Sequence, residues 1–171
     1  MPLQNDAIEQ AITDVIEREK GYVNHERDHG GPTNFGITQA TLARWRGKTV
    51  TADDVRNMSV DEARDIYRTW YFKGFESVND VKTLKFLFDY SVNAGNSKAV
   101  KAVQTAIGAV ADGAWGPNSQ KALDNFGDHS KLYWPCVCFR FDDFMRIMGN
   151  DPSQTVFAHG WANRMKEFWS K

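Results

Sequence analysis

Ile8, Ile12, Val15 and Ile16 fall on one side of a helical wheel, and their spacing predicts a helix over residues 5–19 that buries this stripe. Gly21 ends it, because glycine readily adopts the left-handed backbone that closes many helices. Residues 20–37 are polar or small with few apolar repeats. That predicts irregular or short-strand structure, with Gly30-Gly31-Pro32 as the turn. Helices follow. Thr38 is placed to cap one over 39–46, and Thr51, with Asp53 and Asp54 in the first turn, opens a short one. Ser59-Val60-Asp61-Glu62 has the form of a capping box ahead of Ala63, Ile66, Tyr67 and Trp70.

In the second half, Val81, Leu84, Leu87, Phe88 and Val92 fit a buried helix that ends at Gly95. Asn96 is expected to cap the next, which carries Val100, Val103 and Ile107, with Gln104 beside that face. Asp112 to Gly116 reads as a tight loop, and Pro117 suits the first turn of another helix. A long aromatic helix is expected over 129–148, kinked or divided at Pro135, and a last one over 155–169. The fold class is mainly α (α+β): a helical bundle with a small β-hairpin element after the first helix. No repeat or low-complexity linker interrupts the chain. It is read as one compact globular unit with an N-terminal region 1–95 and a C-terminal helical region 96–171.

Composition narrows the function. A 171-residue chain with 42% hydrophobic and 13% aromatic residues builds a substantial core. A formal net charge of −1 argues against nucleic acid as a partner, since neutralising phosphates needs a basic surface. No stretch approaches the ~20 apolar residues of a membrane span, so stable membrane insertion is not expected. Met1 to Gln10 lacks the basic start and apolar run of a secretion signal. Cys136 and Cys138, two apart on a helix, point to different faces and are expected as reduced thiols.

The chemistry concentrates after the first helix. Glu19 stands at the electronegative end of that helix, where the dipole disfavours a carboxylate, and burial under a loop would act in the same direction. A carboxyl that keeps its proton near neutrality can protonate a leaving oxygen. Asp28 follows in the loop as a second carboxylate to hold or activate a water, or as a turn residue bonding its own backbone. Glu17 and Glu26 are their nearest competitors. Thr33 can orient that water or bond local backbone. Asn34 can meet a sugar or backbone amides, and Tyr22 and Phe35 can stack on sugar rings or pack in a core. Paired carboxyls of this kind suit hydrolysis of a glycosidic bond. His25 and His29 flank Asp28, but zinc needs a third ligand, so no metal is expected.

Glu19-Lys20-Gly21-Tyr22, then Asp28, then Gly30-Gly31-Pro32-Thr33-Asn34-Phe35-Gly36-Ile37-Thr38 resembles the start of glycoside hydrolase family 108, muramidases common among phage endolysins. Lys20 stands where that family has glycine, and Phe35 where it has tyrosine. The resemblance continues in Phe88-Asp89-Tyr90-Ser91-Val92-Asn93-Ala94-Gly95 and in Asp112-Gly113-Ala114-Trp115-Gly116-Pro117, and it ends near Gly160-Trp161-Ala162-Asn163-Arg164. It implies a lysozyme-like fold, a peptidoglycan substrate and no cofactor. It also implies Glu19, Asp28 and Thr33 as the catalytic set. The later motifs add Asp89 and Asn93, four apart on one helix face, as possible cleft residues with local capping as the competing role. Trp115, in a stretch resembling a peptidoglycan-binding motif, is a sugar platform or a core anchor. The expected protein is a monomer in the host cytoplasm until a holin releases it to the periplasmic wall. Arg164, Lys166 and Lys171 beside Trp161, Phe168 and Trp169 could touch a membrane, but ordinary packing is the favoured reading.

Overall fold

In a computed structural model describing residues 2–19, 21–23 and 31–169, the first helix, α1 (Pro2–Arg18), buries Ala11, Ile12, Val15 and Ile16. The chain forms two compact units, Met1–Lys73 and Gly74–Lys171. The boundary expected after residue 95 therefore falls inside the second unit.

In the first unit, β1 (Thr33–Asn34) pairs antiparallel with β2 (Ile37–Thr38), Thr33 opposite Thr38 and Asn34 opposite Ile37. The two loop residues are Phe35, at φ 51°, and Gly36, at φ 77°. Left-handed backbone at both positions is what a two-residue hairpin requires, because its twist matches that of the strands. The hairpin therefore turns at Phe35-Gly36 and not at the expected Gly30-Gly31-Pro32. Gly31 and Pro32 lead into β1, and Gly30 lies outside the described residues. Val23 adds a further rung, exchanging two 2.8 Å backbone hydrogen bonds with Thr33.

The helices after the hairpin are set by their caps. The Thr38 hydroxyl accepts from Thr41 N at 3.2 Å and opens α2 (Gln39–Arg46), which closes on left-handed Gly47. A reciprocal capping box joins Thr51 and Asp54 at the start of α3 (Ala52–Arg56). The box expected at Ser59 is one-sided. Ser59 Oγ accepts from Glu62 N at the start of α4 (Val60–Ile66), but the Glu62 carboxylate takes Arg46 Nε and Nη2 at 2.9 and 2.7 Å. A two-pronged guanidinium is the stronger partner, and it ties α4 to α2. A π-helical turn, Tyr67–Tyr71, continues α4.

The second unit opens with α5 (Val81–Ala94), capped by Asp80, whose carboxylate accepts from Thr83 N at 2.8 Å. Leu84, Phe86, Leu87, Phe88 and Tyr90 are all buried, so over its middle turns this helix meets solvent only narrowly, at Lys85. Asn96 does not cap. Gly95, at φ 94°, both ends α5 and opens α6 (Asn96–Ala106), and Asn96 becomes the first helical residue. Pro117 starts α7 (Pro117–Phe126) as expected. The aromatic stretch divides into a 3₁₀ turn, His129–Leu132, and α8 (Tyr133–Asn150). Pro135 sits in the first turn of α8, where its missing N–H costs little. A second 3₁₀ turn, Pro152–Phe157, moves the start of α9 to Ala158–Trp169. Cys136 is buried and its thiol is pushed up to about 12 by burial, while Cys138 is exposed, so the two do point apart. His129 joins Asn79 N at 3.0 Å through Nδ1 and Leu123 O at 3.3 Å through Nε2.

An ion cluster holds α5, α8 and α9 together. Asp89 is 3% exposed and Arg140 is wholly buried. Asp89 accepts from Arg140 Nη1 at 2.8 Å and from Arg164 Nη2 at 2.7 Å. Asp143, on α8, accepts from Lys98 of α6 at 2.7 Å. Burial alone would raise both aspartates, but the cations around each outweigh it and hold both below the ordinary carboxylate range. Groups depressed in this way stabilise the fold fully above the unfolded value of about 3.9 and lose that contribution as pH falls through the folded value. Asp89→Asn is expected to cost roughly 3–5 kcal/mol at neutral pH, because it strands the buried Arg140 charge. It should also flatten the loss of stability that the wild type shows below about pH 4. Urea unfolding at several pH values checks both.

Candidate functional site

The end of α1, the hairpin and the π-helical turn converge in the first unit. Glu19 closes the last turn of α1, its backbone N–H donating to Val15 O at 2.9 Å, and its side chain is exposed. A methyl group added at Gly36 would lie 3.3 Å from Glu19 Cγ, 3.4 Å from Glu19 Cβ and 2.6 Å from the Tyr67 hydroxyl oxygen. The side chain of Glu19 therefore lies along the hairpin turn. The Tyr67 hydroxyl donates to the Phe35 carbonyl at 2.8 Å. Burial, first, then neighbouring Tyr71 and the charge of Glu19 raise the Tyr67 phenol, so it serves as a neutral donor. Glu19 is thus an accessible carboxylate beside a turn whose backbone is fixed from below.

Thr33 and Asn34 bring the hairpin to this point with different commitments. Thr33 Oγ1 is half-buried and donates to Gly31 O at 3.3 Å, a local bond that leaves its oxygen free to accept. The Asn34 side chain is 5% exposed, and its Nδ2 donates to Val55 O at 3.0 Å and Arg56 O at 3.1 Å. It secures the carbonyls at the end of α3, which is the backbone role of the two expected for it. The Tyr22 ring lies under the Arg56 guanidinium at 4.6 Å, and its buried hydroxyl has no hydrogen-bond partner among the described residues. Phe35 is half-buried in the turn. Asp28, the second expected carboxylate, lies outside the described residues, as do His25, Glu26 and His29.

The remaining candidates belong to the second unit. Asp89 lies between Arg140, which is wholly buried, and Arg164, which is partly exposed, and its two oxygens accept from both guanidinium groups. Asn93 is exposed and accepts from Arg140 Nη2 at 3.2 Å. Trp115 is half-buried, and its indole N–H donates to Gln120 Oε1 at 3.0 Å. A methyl at Gly74 would come within 2.9 Å of Trp115 Cβ, so this tryptophan packs tightly on one side. The loop before it is held by Gln104. The Gln104 Nε2 reaches Asp112 Oδ1 at 2.9 Å, Ala114 O at 3.0 Å and Ser119 Oγ at 3.1 Å, and its Oε1 takes Gly113 N at 2.8 Å. An apolar pocket of about 280 Å³ between α8 and α9, lined by Phe144, Met148, Trp161 and Met165 among others, offers no carboxylate. Trp161 stacks on Phe144 at 4.7 Å and Phe168 meets Phe86 edge-on at 5.4 Å, while Trp169 is exposed and Lys171 lies outside the described residues. No helix among the described residues is long and apolar enough to cross a membrane.

Sequence reasoning missed Tyr67, which it placed only as an apolar position of α4. Its partner, the Phe35 carbonyl, is a backbone atom that residue patterns do not mark. The signal that could have found it is Phe35-Gly36, a hairpin turn pair flanked by short polar and apolar alternation.

Residues 12–95 match the family described as glycosyl hydrolase 108. The chain is also similar to the solved "Structure of Brucella abortus SagA", at 27% identity and a TM-score of 0.79, over 96% of this chain and 92% of that one. Among curated proteins none matches.

If Asn34 is structural, Asn34→Ala leaves the Val55 and Arg56 carbonyls without their buried donor. The expected cost is about 1–3 kcal/mol of stability. Thermal melting reads it, and a melt identical to wild type would return Asn34 to the pool of ligand contacts.

Proposed function

We propose that the chain, whose residues 12–95 match the glycosyl hydrolase 108 family, is a peptidoglycan hydrolase of the lysozyme type. It cleaves the β-1,4 bond between N-acetylmuramic acid and N-acetylglucosamine. The observation that carries this reading is the exposed Glu19 side chain lying along a preformed hairpin turn, open to a polymeric sugar. Glu19 is the general acid that protonates the leaving oxygen. Asp28 and Thr33 hold the water that attacks the anomeric carbon, Thr33 by accepting a hydrogen bond through the lone pairs its local bond leaves unused. Phe35 and Tyr22 are the aromatics of this region assigned to the sugar, and Trp115 is the wall contact of the second unit. The working setting is a phage lysis system, with a holin passing the enzyme from the host cytoplasm to the wall.

Removing only the acid while keeping the shape should show in the rate. Glu19→Gln is expected to lose about 10² to 10⁴ in turnover of purified peptidoglycan. Mass spectrometry of the soluble fragments separates the chemistries. Reducing-end N-acetylmuramic acid, absent with the mutant, supports the muramidase. A 1,6-anhydro end would make the protein a lytic transglycosylase, which uses one carboxyl and no water.

The second carboxylate has its own test. Asp28→Asn should cripple hydrolysis while Glu26→Gln leaves it near wild type; the reverse pattern would move the water-handling role to Glu26. Trp115→Ala, with folding verified, should weaken binding to intact sacculi more than it slows cleavage of short glycan chains.

A further inference from the structure

The hairpin turn contains an unusual element. Phe35 carries a side chain, yet it sits at φ 51°, a region that L residues with large side chains rarely occupy. Such a conformation persists only where its surroundings over-determine it, and these cases cluster at functional sites. Here the hairpin pairing sets the turn, and among the described residues one side chain bonds its carbonyl. Tyr67 is completely buried, its ring is 5.1 Å from that of Tyr71, and its hydroxyl donates to the carbonyl of Phe35 itself. The π-helical turn that starts at Tyr67 admits an extra residue per turn at this level, and such widened turns are frequent at functional sites.

Gly36 shows how closely the parts meet. The space a Cβ would need there is already taken by the Tyr67 hydroxyl, at 2.6 Å, and is bounded by Glu19 Cγ, at 3.3 Å. Hydroxyl, turn and carboxylate-bearing side chain share one point. Glu19 itself is exposed at a helix end, where little else among the described residues restrains its rotamer.

We infer that Tyr67 is a positioning residue for Glu19: its hydroxyl locks the Phe35-Gly36 turn in the left-handed form, and the locked turn is the wall against which Glu19 is held. The inference rests on Glu19 being the general acid. Without the hydroxyl, the Phe35 carbonyl loses its donor, the peptide between Phe35 and Gly36 is free to rotate, and Glu19 loses its backing. Ground-state binding of the glycan does not pass through this contact, whereas proton delivery to the leaving oxygen depends on where Glu19 points.

The test uses the full-length protein and purified peptidoglycan, with Tyr67→Phe, Gly36→Ala, the double variant and Glu19→Gln, all assayed well below their melting temperatures. Tyr67→Phe is expected to lower kcat roughly 10- to 100-fold with KM little changed. A merely structural loss would not split the two constants in this way. Gly36→Ala should reduce kcat in the wild type by a larger factor than in the Tyr67→Phe background, where the colliding oxygen is gone. Unchanged kcat in Tyr67→Phe, with Glu19→Gln inactive, overturns the positioning role and leaves the acid assignment standing. Additive effects of Tyr67→Phe and Gly36→Ala overturn it as well. Wild-type turnover in Glu19→Gln removes the acid assignment itself, whatever Tyr67→Phe does.

Discussion

The first unit is organised around a single hydrogen bond, from a buried phenol to the carbonyl of a residue in an unfavourable backbone region. A buried tyrosine hydroxyl must find a partner, and a left-handed non-glycine residue must be held; each answers the other's need. The consequences spread outward. The turn fixes the register of β1 and β2, so Asn34 faces inward to reach the end of α3 and Ile37 faces the core. Thr38, at the end of β2, is then in place to cap α2. On the other side, the arginines of α4 and its extension grip α1: Arg64 Nη2 meets Thr13 at 2.9 Å, and Arg68 takes Glu9 at 2.6 and 3.0 Å. The helix that bears Glu19 is thereby referred to the same element that holds the turn.

Much of this was legible from residue order. Periodicity found the apolar stripe of α1, and side-chain chemistry found the caps at Thr38, Thr51 and Ser59, because these signals are local. What failed did so where a distant partner outbid a local one. Glu62 was expected to fold back on Ser59 and bonds Arg46 instead, sixteen residues away. Asn96 looked like a cap, but Gly95 could make a one-residue corner that no other side chain could follow. The cations that pair with Asp89 come from α8 and α9, which no pattern within α5 announces. Near Glu19, residue order pointed to a small strand element, and the pairing of Thr33–Asn34 with Ile37–Thr38 gives its form, while Asp28 lies outside the described residues. The role of Tyr67 was invisible because it is exercised on a carbonyl.

The two units are stabilised in different ways. In the first, charged pairs lie at the rim: Arg46, Glu62 and Arg68 are all partly exposed, and exposed pairs contribute little each. In the second, Arg140 is enclosed by Phe86, Tyr90 and Phe144, whose ring centres lie 5.5, 5.0 and 5.5 Å from its guanidinium, and is neutralised by Asp89. An ion pair at that depth costs both partners their hydration, and Arg140 Nε has no hydrogen-bond partner among the described residues, so the pair adds less to stability than its attraction alone would give.

The Gln104 side chain does something comparable for the Asp112–Ala114 loop. With its amide and carbonyl both turned onto that loop, and Asp112 Oδ1 also accepting from Ala114 N at 2.8 Å, the loop is already in one conformation before anything touches it. Any partner that meets this corner of the second unit has no loop-ordering entropy to supply, so even a small contact area there is used in full. The same bonds set the limit: fitting a surface of another shape to this corner would mean breaking them.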